Sequence, residues 1–401
     1  MGLSKIIDLG MHPHADTFIG QDQYNLSEPV HPLQCILNED TSEIRVGVNT
    51  KPDERYNLYS YSYTSANSDF AKNHWIDYAK EVSKKINSIE FLNGRWYGPT
   101  QTKVVEIGSN DGFLASQFKE LGHDVLGVDP SHYMAKLAQE RGVETSCKYF
   151  TYDTSRDLVD TFGRADLIIA NNVFNHSNDV EDFVKGVVHL LKDDGVFVFE
   201  LPYWYCTIKD KTFDQIYHEH VNYFTVKFSY ELLKKAGFEI IDAEVVDYHG
   251  GSLRVYAKRV DEVILRNHVK DMIRIEEEFG LFDKNMYKIF MQDLHKSRSL
   301  MLKKIHDIKL CGYPIVGVGA AAKGNTFLNF YNLNSTILDY VTDVSKHKQG
   351  KYTPLTRIPI VGDEIFAEYD KVYALILSWN ISDILKENLT DINDKIEFIL
   401  R

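Results

Sequence analysis

The sequence predicts an α/β protein of more than one domain, with Rossmann-like, doubly wound sheets. The length of 401 residues exceeds that of an ordinary single domain. Strand-like and helix-like patterns alternate from about Lys103 to Arg259, and the alternation starts again at Pro314. Such alternation is typical of parallel sheets with crossover helices.

Differences in composition and hydrophobic periodicity divide the chain into four predicted segments. The first is irregular, with short strand-like pieces such as Glu43–Val48 broken by proline, asparagine and aspartate. The second opens with a helical pattern over Ser68–Ile89, and the third is free of proline and rich in Lys, Glu and Leu. We expect a small N-terminal domain at 1–65, a central domain at 66–260, a helical linker at 261–310 and a smaller C-terminal α/β domain at 311–401.

Composition argues against several classes of protein. The formal charge of −13 disfavours a nucleic-acid partner. The sequence has neither the run of about 18 apolar residues that predicts a membrane span nor the pattern of a signal peptide at its start. The four cysteines are isolated from one another in sequence. This spacing is typical of a protein from a reducing compartment and argues against a metal knuckle. We expect a cytoplasmic monomer or small homo-oligomer that binds neither nucleic acid nor membrane.

The strongest local signal is K-V-V-E-I-G-S-N-D-G-F-L, which predicts a strand, a tight loop from Gly108 to Gly112, and a helix. The pattern Glu-x-Gly-x-x-x-Gly lacks the glycine spacing that brings the backbone onto a pyrophosphate. A nucleoside without phosphates, carrying a sulfonium, suits such a loop, so we predict S-adenosylmethionine (SAM) as the ligand. The acidic Asp111 favours a cation. NAD binding and a purely structural turn are the alternatives.

The ends of the next strands supply further candidate cofactor residues. Asp129 follows the strand Val125–Val128, where its carboxylate can accept hydrogen bonds from two ribose hydroxyls. Asn171 and Asn172 follow the strand Ala165–Ala170 and can bind the adenine or methionine part, or cap a turn. The predicted cofactor residues are Glu106, Gly108, Asn110, Asp111, Gly112, Asp129, Asn171 and Asn172.

Proton-carrying groups are concentrated in the segment F-D-Q-I-Y-H-E-H-V-N-Y-F, residues 213–224. A zinc-protease motif fails here, because Asn222 stands where the second histidine would be needed. The density of groups favours acid–base chemistry. In an extended segment Tyr217 and Glu219 would share a face, whereas in a turn Tyr217 and His220 would come together. The sequence leaves both geometries open.

Several motifs, in order along nearly the whole chain, resemble the sugar C-methyltransferases, which act on nucleotide-linked ketosugars in deoxysugar biosynthesis. These motifs are E-I-G-S-N-D-G-F-L, N-N-V-F-N-H, F-D-Q-I-Y-H-E-H-V-N-Y-F, H-G-G-S-L-R-V, G-A-A-A-K-G-N-T-F-L-N-F and K-Q-G-K-Y-T-P. The resemblance implies a small N-terminal domain, a central class I SAM-methyltransferase domain of Rossmann-like fold, and a C-terminal α/β domain that encloses the substrate. It also implies a nucleoside-diphosphate sugar as the substrate.

The resemblance assigns base chemistry to Tyr217, Glu219 and His220. Methyl transfer to carbon requires a carbanion, which a neighbouring carbonyl group stabilises as an enolate. A base with a pKa near neutrality suits this task, and we expect His220 to be that base. Glu219 would orient or polarise the histidine, and Tyr217 would donate to the enolate oxygen or relay the proton. For His218 we expect a structural role.

One departure from the family concerns its structural zinc, which two cysteine pairs usually hold in the N-terminal domain. This chain starts just after the place of the first pair, and it has Cys35 but Asn38 at the second. A tetrahedral zinc site needs four ligands. We therefore expect no metal, and an N-terminal domain held together by packing alone.

Two further motifs predict substrate contacts. The glycine-rich loop H-G-G-S offers His249 and Ser252, with Arg254 following in the next strand. Lys323 and Asn325 lie between a strand and the expected start of a helix, which is a natural site for an anion such as a diphosphate. A plain turn at His249 and an N-cap at Asn325 are the alternative interpretations.

The leading hypothesis is a metal-independent SAM-dependent enzyme that methylates carbon, with C3 expected, of a nucleoside-diphosphate 4-keto-deoxysugar. A SAM-dependent O-methyltransferase acting on a sugar or sugar phosphate needs only a base near a hydroxyl group, and is the enzymatic alternative. A non-catalytic SAM-binding scaffold is the third hypothesis, and the intact set of Tyr217, Glu219 and His220 argues against it.

Overall fold

A computed structural model of the chain describes residues 2–56, 64, 68–92 and 102–400. The chain forms two compact units, each assembled from separate stretches of sequence. Unit 1 comprises Met1–Ser62, Tyr205–Asn222 and Gly280–Arg401. Unit 2 comprises Tyr63–Trp204 and Tyr223–Phe279. The predicted boundary at residue 65 lies outside the described residues.

Unit 2 contains a seven-stranded sheet. In spatial order its strands are Phe238–Val246, Ser252–Arg259, Leu191–Pro202, Ala165–Asn171, Lys103–Ile107, Asp124–Val128 and Glu144–Ser146. The last five pair in parallel, and the first two join them in antiparallel register. Order reverses on either side of Lys103–Ile107, so the loop after this strand lies at a topological switch point, where doubly wound sheets bind ligands. The predicted class I, Rossmann-like fold is confirmed.

The helices of unit 2 bury their apolar faces against this sheet. They are Asp69–Leu92, Phe113–Glu120, His132–Glu140, Tyr152–Thr161, Val180–Leu190, Val226–Lys235 and Asn267–Glu278, with a 3-10 turn at Phe174–His176. The first of them packs Trp75, Tyr78 and Val82 into a cluster with strand residues such as Val104 and Leu167. The helix predicted from Ser68 thus covers one face of the sheet.

Unit 1 contains two sheets. The antiparallel strands Leu3–His12, His31–Asn38 and Ile44–Val46 lie side by side. The parallel sheet has the spatial order Ile360–Val361, Tyr340–Thr342, Ile315–Val318, Val372–Ile376 and Ile396–Ile399. The smaller C-terminal α/β region predicted from the renewed alternation corresponds to this second sheet.

The helices of unit 1 include one that is 27 residues long. They are Pro52–Tyr56, Lys284–Leu310, Ala322–Tyr331 and Ser382–Ile392, with 3-10 turns at Gln21–Gln23, Phe213–Gln215, Asp363–Glu368 and Trp379–Ile381. The helix Trp204–Lys209 and the short strand Asn222–Tyr223 each span a sequence boundary of the units. The proline-free stretch predicted as a linker contains Asn267–Glu278 in unit 2 and Lys284–Leu310 in unit 1.

The structure groups the chain differently from the four predicted segments, because Tyr205–Asn222 belongs to unit 1 rather than to the sheet that flanks it in sequence. Long-range contacts hold it there. The indole nitrogen of Trp379 donates to the Asp214 carboxylate at 2.7 Å, and the Phe213 ring lies 4.9 Å from that of Phe330. Contacts between residues more than a hundred positions apart cannot be predicted from local composition or periodicity.

Among the described helices, none combines the length and the apolar character that crossing a membrane requires.

Candidate active site

The loop Gly108–Gly112 has a backbone shape that only glycine permits at both ends. Gly108 and Gly112 have φ angles of 73° and 72°, in the left-handed region. A Cβ atom on Gly108 would lie 2.7 Å from Val173, and one on Gly112 would lie 2.7 Å from Ala138. The chain therefore approaches its neighbours closely before the helix Phe113–Glu120 begins.

Asp129 fixes this loop from the tip of the next strand. Its carboxylate accepts hydrogen bonds from the backbone N–H groups of Asn110, at 3.0 Å, and Ser131, at 2.9 Å. Burial raises the pKa of Asp129, and the two hydrogen bonds oppose this rise. Asp111, expected to favour a cation, pairs instead with Arg141 at 3.3 Å. Charge on Asp111 is thus neutralised within the protein.

Unpartnered polar atoms surround the loop. Within the described part of the chain, Oε2 of Glu106, Oγ of Ser109 and both amide atoms of Asn171 are buried without a hydrogen-bond partner. Burial raises the pKa of Glu106 well above its usual range. Asn172 has a left-handed backbone, φ 52°, and its N–H donates to the Glu200 carbonyl at 2.7 Å. These atoms fit a ligand rich in hydroxyl and amino groups, since unpaired buried polar atoms are costly.

In unit 1, Tyr217 and His220 come together, as expected for a turn. The His220 N–H donates to the Tyr217 carbonyl at 3.0 Å, and the phenol oxygen lies 2.6 Å from His220 Nε2. His220 Nδ1 lies 2.9 Å from the Gln215 carbonyl. A carbonyl can only accept, so Nδ1 carries the proton and Nε2 accepts the phenol hydrogen.

Burial lowers the pKa of His220 to about 3, and the nearby charge of Lys323 adds to this. The expectation of a base with a pKa near neutrality is therefore wrong for His220. A neutral imidazole in one fixed tautomer nevertheless remains a proton acceptor at pH 7. The phenol of Tyr217 is the group that donates a hydrogen bond to it.

Glu219 lies among charged partners of its own. Burial raises the pKa of Glu219 to about 8, with Asp16 raising it further and Arg55 opposing. The backbone N–H of Asp16 also donates to this carboxylate. The orienting contact expected from Glu219 is made instead by the Gln215 carbonyl, which no side-chain pattern could have predicted.

His218 belongs to a group of three neighbouring imidazoles with His14 and His31, whose ring centroids lie 5.4 to 5.7 Å apart. Nε2 of His218 donates to the Pro32 carbonyl at 3.3 Å. Burial lowers the pKa of His218 to about 3 and that of His14 to about 4. Among the described residues, no group of three or more His, Cys, Asp or Glu side chains is arranged to hold a metal ion.

The H-G-G-S loop places its residues in unit 2. His249 has φ 53°, and its ring lies 4.1 Å from that of Tyr248. The Ser252 hydroxyl donates to the Tyr248 carbonyl at 2.9 Å. Arg254 is buried and pairs with Glu200 at 2.8 Å. Both polar side chains expected to face the substrate are therefore engaged by the protein, because their strand lies in the sheet interior.

Lys323 and Asn325 lie in the first turns of the helix Ala322–Tyr331. Lys323 Nζ lies 2.5 Å from the Asn380 side-chain oxygen and 4.9 Å from the centre of the Trp379 ring. Ala321 is the N-cap, so the alternative interpretation of Asn325 as the cap is wrong. The amide of Asn325 instead donates to the Ala15 carbonyl at 2.6 Å.

Two family models match the chain. One, described as a methyltransferase domain, matches residues 74–243. The other, described as a C-methyltransferase C-terminal domain, matches residues 247–400.

The chain is similar over most of its length to the C-methyltransferase NovU of Streptomyces niveus, with 28% identity over 384 residues, 96% of this chain and 89% of NovU. A mitochondrial ubiquinone biosynthesis O-methyltransferase of Bos taurus is 29% identical over 98 residues, 23% of this chain and 26% of that protein. The structure of a magnesium protoporphyrin IX methyltransferase from Synechocystis PCC 6803 covers 51% of this chain and 88% of its own, at 15% identity and a TM-score of 0.36.

Proposed function

We propose that this protein, which belongs to the SAM-dependent C-methyltransferases, methylates a carbon atom of a nucleoside-diphosphate 4-keto-deoxysugar. The match to the methyltransferase family model and the similarity to NovU confirm the predictions of a methyltransferase and of SAM as its cofactor. The sugar nucleotide and the methylated position, C3, are our proposal. They rest on the family resemblance and on the chemistry of the residues in unit 1.

The Tyr217–His220 pair carries the proposal. Removal of a proton from carbon next to a carbonyl leaves an enolate, and the carbon becomes a nucleophile. When bound, SAM supplies the electrophilic methyl group. By one route, the proton moves from the sugar carbon to the phenol oxygen while the phenol proton moves to His220 Nε2. By the other route, the proton moves from the sugar carbon directly to Nε2. In both cases the Tyr217–His220 pair gains one proton. The fixed tautomer of His220 keeps Nε2 ready for it.

Glu219 serves this reaction as a hydrogen-bond donor. With its pKa raised to about 8, the carboxyl group is mostly protonated at pH 7 and can donate to the oxygen on which the enolate charge gathers. Donors placed where charge develops commonly contribute more than one order of magnitude to the rate. This role replaces the polarisation of His220 that the sequence suggests.

For the cofactor we propose the loop residues Gly108, Asn110 and Gly112 together with Asp129 and Asn171. The glycines admit the ligand close to the backbone, and the carboxylate can accept hydrogen bonds from ribose hydroxyls. Asp111 and Asn172 support the loop rather than contact the ligand, in keeping with their internal partners, whereas Glu106, whose Oε2 is unpartnered, stays among the proposed cofactor residues. For the substrate diphosphate we propose Lys323, with Asn325 fixing the neighbouring chain.

The proposal is tested by incubating the protein with SAM and a panel of nucleoside-diphosphate 4-ketosugars, read by mass spectrometry. In D2O, the protein should also exchange the proton next to the carbonyl, and His220→Asn should not. Methylated product without such exchange in any ketosugar, or methylation only of hydroxyl groups, would favour the O-methyltransferase alternative. Absence of any transfer across the panel would overturn the proposal.

A further inference from the structure

A buried network of charged side chains in unit 2 takes no part in the mechanism proposed above. Its centre is Glu200, which is fully buried near the end of the strand Leu191–Pro202. Nε of Arg254 lies 2.8 Å from one carboxylate oxygen of Glu200, and Nε2 of His74 lies 2.7 Å from the other. Arg254 also pairs with Glu81 at 2.8 Å.

This network fixes the tautomer of His74. A carboxylate held by a guanidinium group accepts hydrogen bonds, so His74 Nε2 carries a proton, and in the neutral imidazole Nδ1 then holds the lone pair. The ring is also fixed in orientation, because it stacks on Tyr248 with the centroids 3.8 Å apart and the planes 1° from parallel. Among the described residues, the structure gives Nδ1 no partner, and 13% of the side chain is exposed.

The position of the network points to a ligand. Glu200 is in register with Asn171 on one side and with Arg254 on the other, so the three side chains share one face of the sheet. Asn171 ends a parallel strand, and doubly wound sheets bind ligands outside the carboxyl ends of such strands. The ring of His249, from the loop expected to meet the substrate, lies 4.1 Å from that of the same Tyr248, with the planes tilted by 50°.

A role confined to stability would not call for this arrangement. Buried ion pairs are expensive to desolvate, and apolar residues of similar volume often hold a fold equally well. A carboxylate that sets the tautomer of a histidine, itself held by an arginine, is the arrangement that prepares an imidazole nitrogen to accept a hydrogen bond.

We propose that Nδ1 of His74 accepts a hydrogen bond from a hydroxyl group of the methyl acceptor, with Glu200 and Arg254 as the positioning residues behind it. The inference rests on the proposed function in one respect, that the acceptor is a hydroxyl-bearing sugar nucleotide. Arg254, which the sequence suggests for direct contact with the substrate, thus acts on the substrate only through Glu200 and His74.

The test compares His74→Gln with His123→Gln. Glutamine at position 74 can still donate from Nε2 to Glu200 but has no acceptor at the place of Nδ1. His123 is the matched control, because it too is a partly buried histidine at the helix Asp69–Leu92, where its Nε2 lies 3.1 Å from Ser83 Oγ. Each variant is assayed for thermal midpoint, for SAM affinity by calorimetry, and for kcat and KM with the ketosugar that the wild type methylates.

We expect His74→Gln to raise KM for the ketosugar at least tenfold, with SAM affinity and the thermal midpoint as in the wild type, and His123→Gln to change none of these. Glu200→Gln should raise KM by a smaller factor, because it frees the tautomer but leaves the imidazole in place. Equal KM and kcat in His74→Gln and wild type would overturn the inference while leaving the proposed function standing, and so would a change confined to the thermal midpoint. A wild-type protein without transferase activity would overturn both.

Discussion

The cofactor loop of unit 2 and the Tyr217–His220 turn of unit 1 are built in different ways. The loop is defined by neighbours in sequence, a strand, two glycines and a helix, and its outside support comes mainly from Asp129 in the next strand. The turn depends on remote partners, since Asp16, Lys323 and Trp379 all set its electrostatics or position. The sequence therefore predicts the conformation of the loop, but for the turn it predicts only which residues take part and not how they are arranged.

The largest expected effect separates the two regions. His220→Asn should lower turnover by about 10²–10⁴, the usual contribution of a positioned base, and should leave SAM affinity unchanged. His218→Asn is the control and should act like the wild type. Full activity of His220→Asn together with loss in His218→Asn would assign the base to the other imidazole.

Tyr217→Phe tests whether the phenol carries the proton. Removal of its hydroxyl leaves His220 Nε2 without its 2.6 Å partner. If the tyrosine is the carrier, turnover should fall as far as in His220→Asn, and the double variant should be no worse than either single one. A fall of only about tenfold would limit the phenol to hydrogen bonding with the enolate oxygen.

Asp129→Ala affects the other region and should weaken SAM binding by roughly 1–3 kcal/mol, because it removes an acceptor and leaves two backbone donors unsatisfied. Calorimetry with SAM measures the effect directly. Unchanged affinity would show that the cofactor binds elsewhere, while the chemistry proposed for unit 1 would be unaffected.

Acid should destabilise unit 1 through its buried histidines. Burial lowers the pKa of His12 and His14 to about 4, and that of His218 and His220 to about 3. The unfolded chain therefore binds more protons below pH 6.5, so stability is lost as the pH falls toward these values. Each histidine should contribute a loss of about 2 kcal/mol between pH 7 and pH 5.

Urea unfolding at the two pH values measures this loss, and His218→Asn should make it smaller. Asp16 and Glu219 act in the opposite direction, because burial raises their pKa to about 6 and about 8. Their contribution to stability is present at low pH and is lost as the pH rises through these values. Greater stability at pH 5 than at pH 7 would show that the carboxyl groups outweigh the imidazoles.

The smallest expected effect concerns zinc. Protein prepared without chelators should contain well under one equivalent, since Cys35 is a buried cysteine in the strand His31–Asn38 and the sequence has Asn38 where a second thiolate would be needed. Treatment with a chelator should leave both SAM binding and turnover as they were. A stoichiometric zinc content would refute the expectation that packing alone holds this part of the chain.

How far the sequence predicts this molecule depends on the range of the interactions involved. The strands Lys103–Ile107, Asp124–Val128 and Ala165–Asn171 and the helix after Gly112 are predicted within a few residues, because apolar periodicity and glycine act locally. The placement of Tyr205–Asn222, the Gln215 carbonyl contact and the low pKa of His220 are not, because they arise from remote or main-chain partners. His74 lies in the apolar helical pattern of Asp69–Leu92, where periodicity predicts a core residue rather than a ligand contact.

The division of unit 1 among three stretches of chain has a consequence for synthesis on the ribosome. Unit 2 has all of its residues once Phe279 has been made, whereas unit 1 must wait for the C-terminal stretch. Ile19, for example, pairs with Tyr352 through two backbone hydrogen bonds of 2.9 Å, so one of the first segments made is among the last to find its partner. We expect the nascent chain to carry an unfinished N-terminal segment for most of its elongation, and chaperones to meet the protein there.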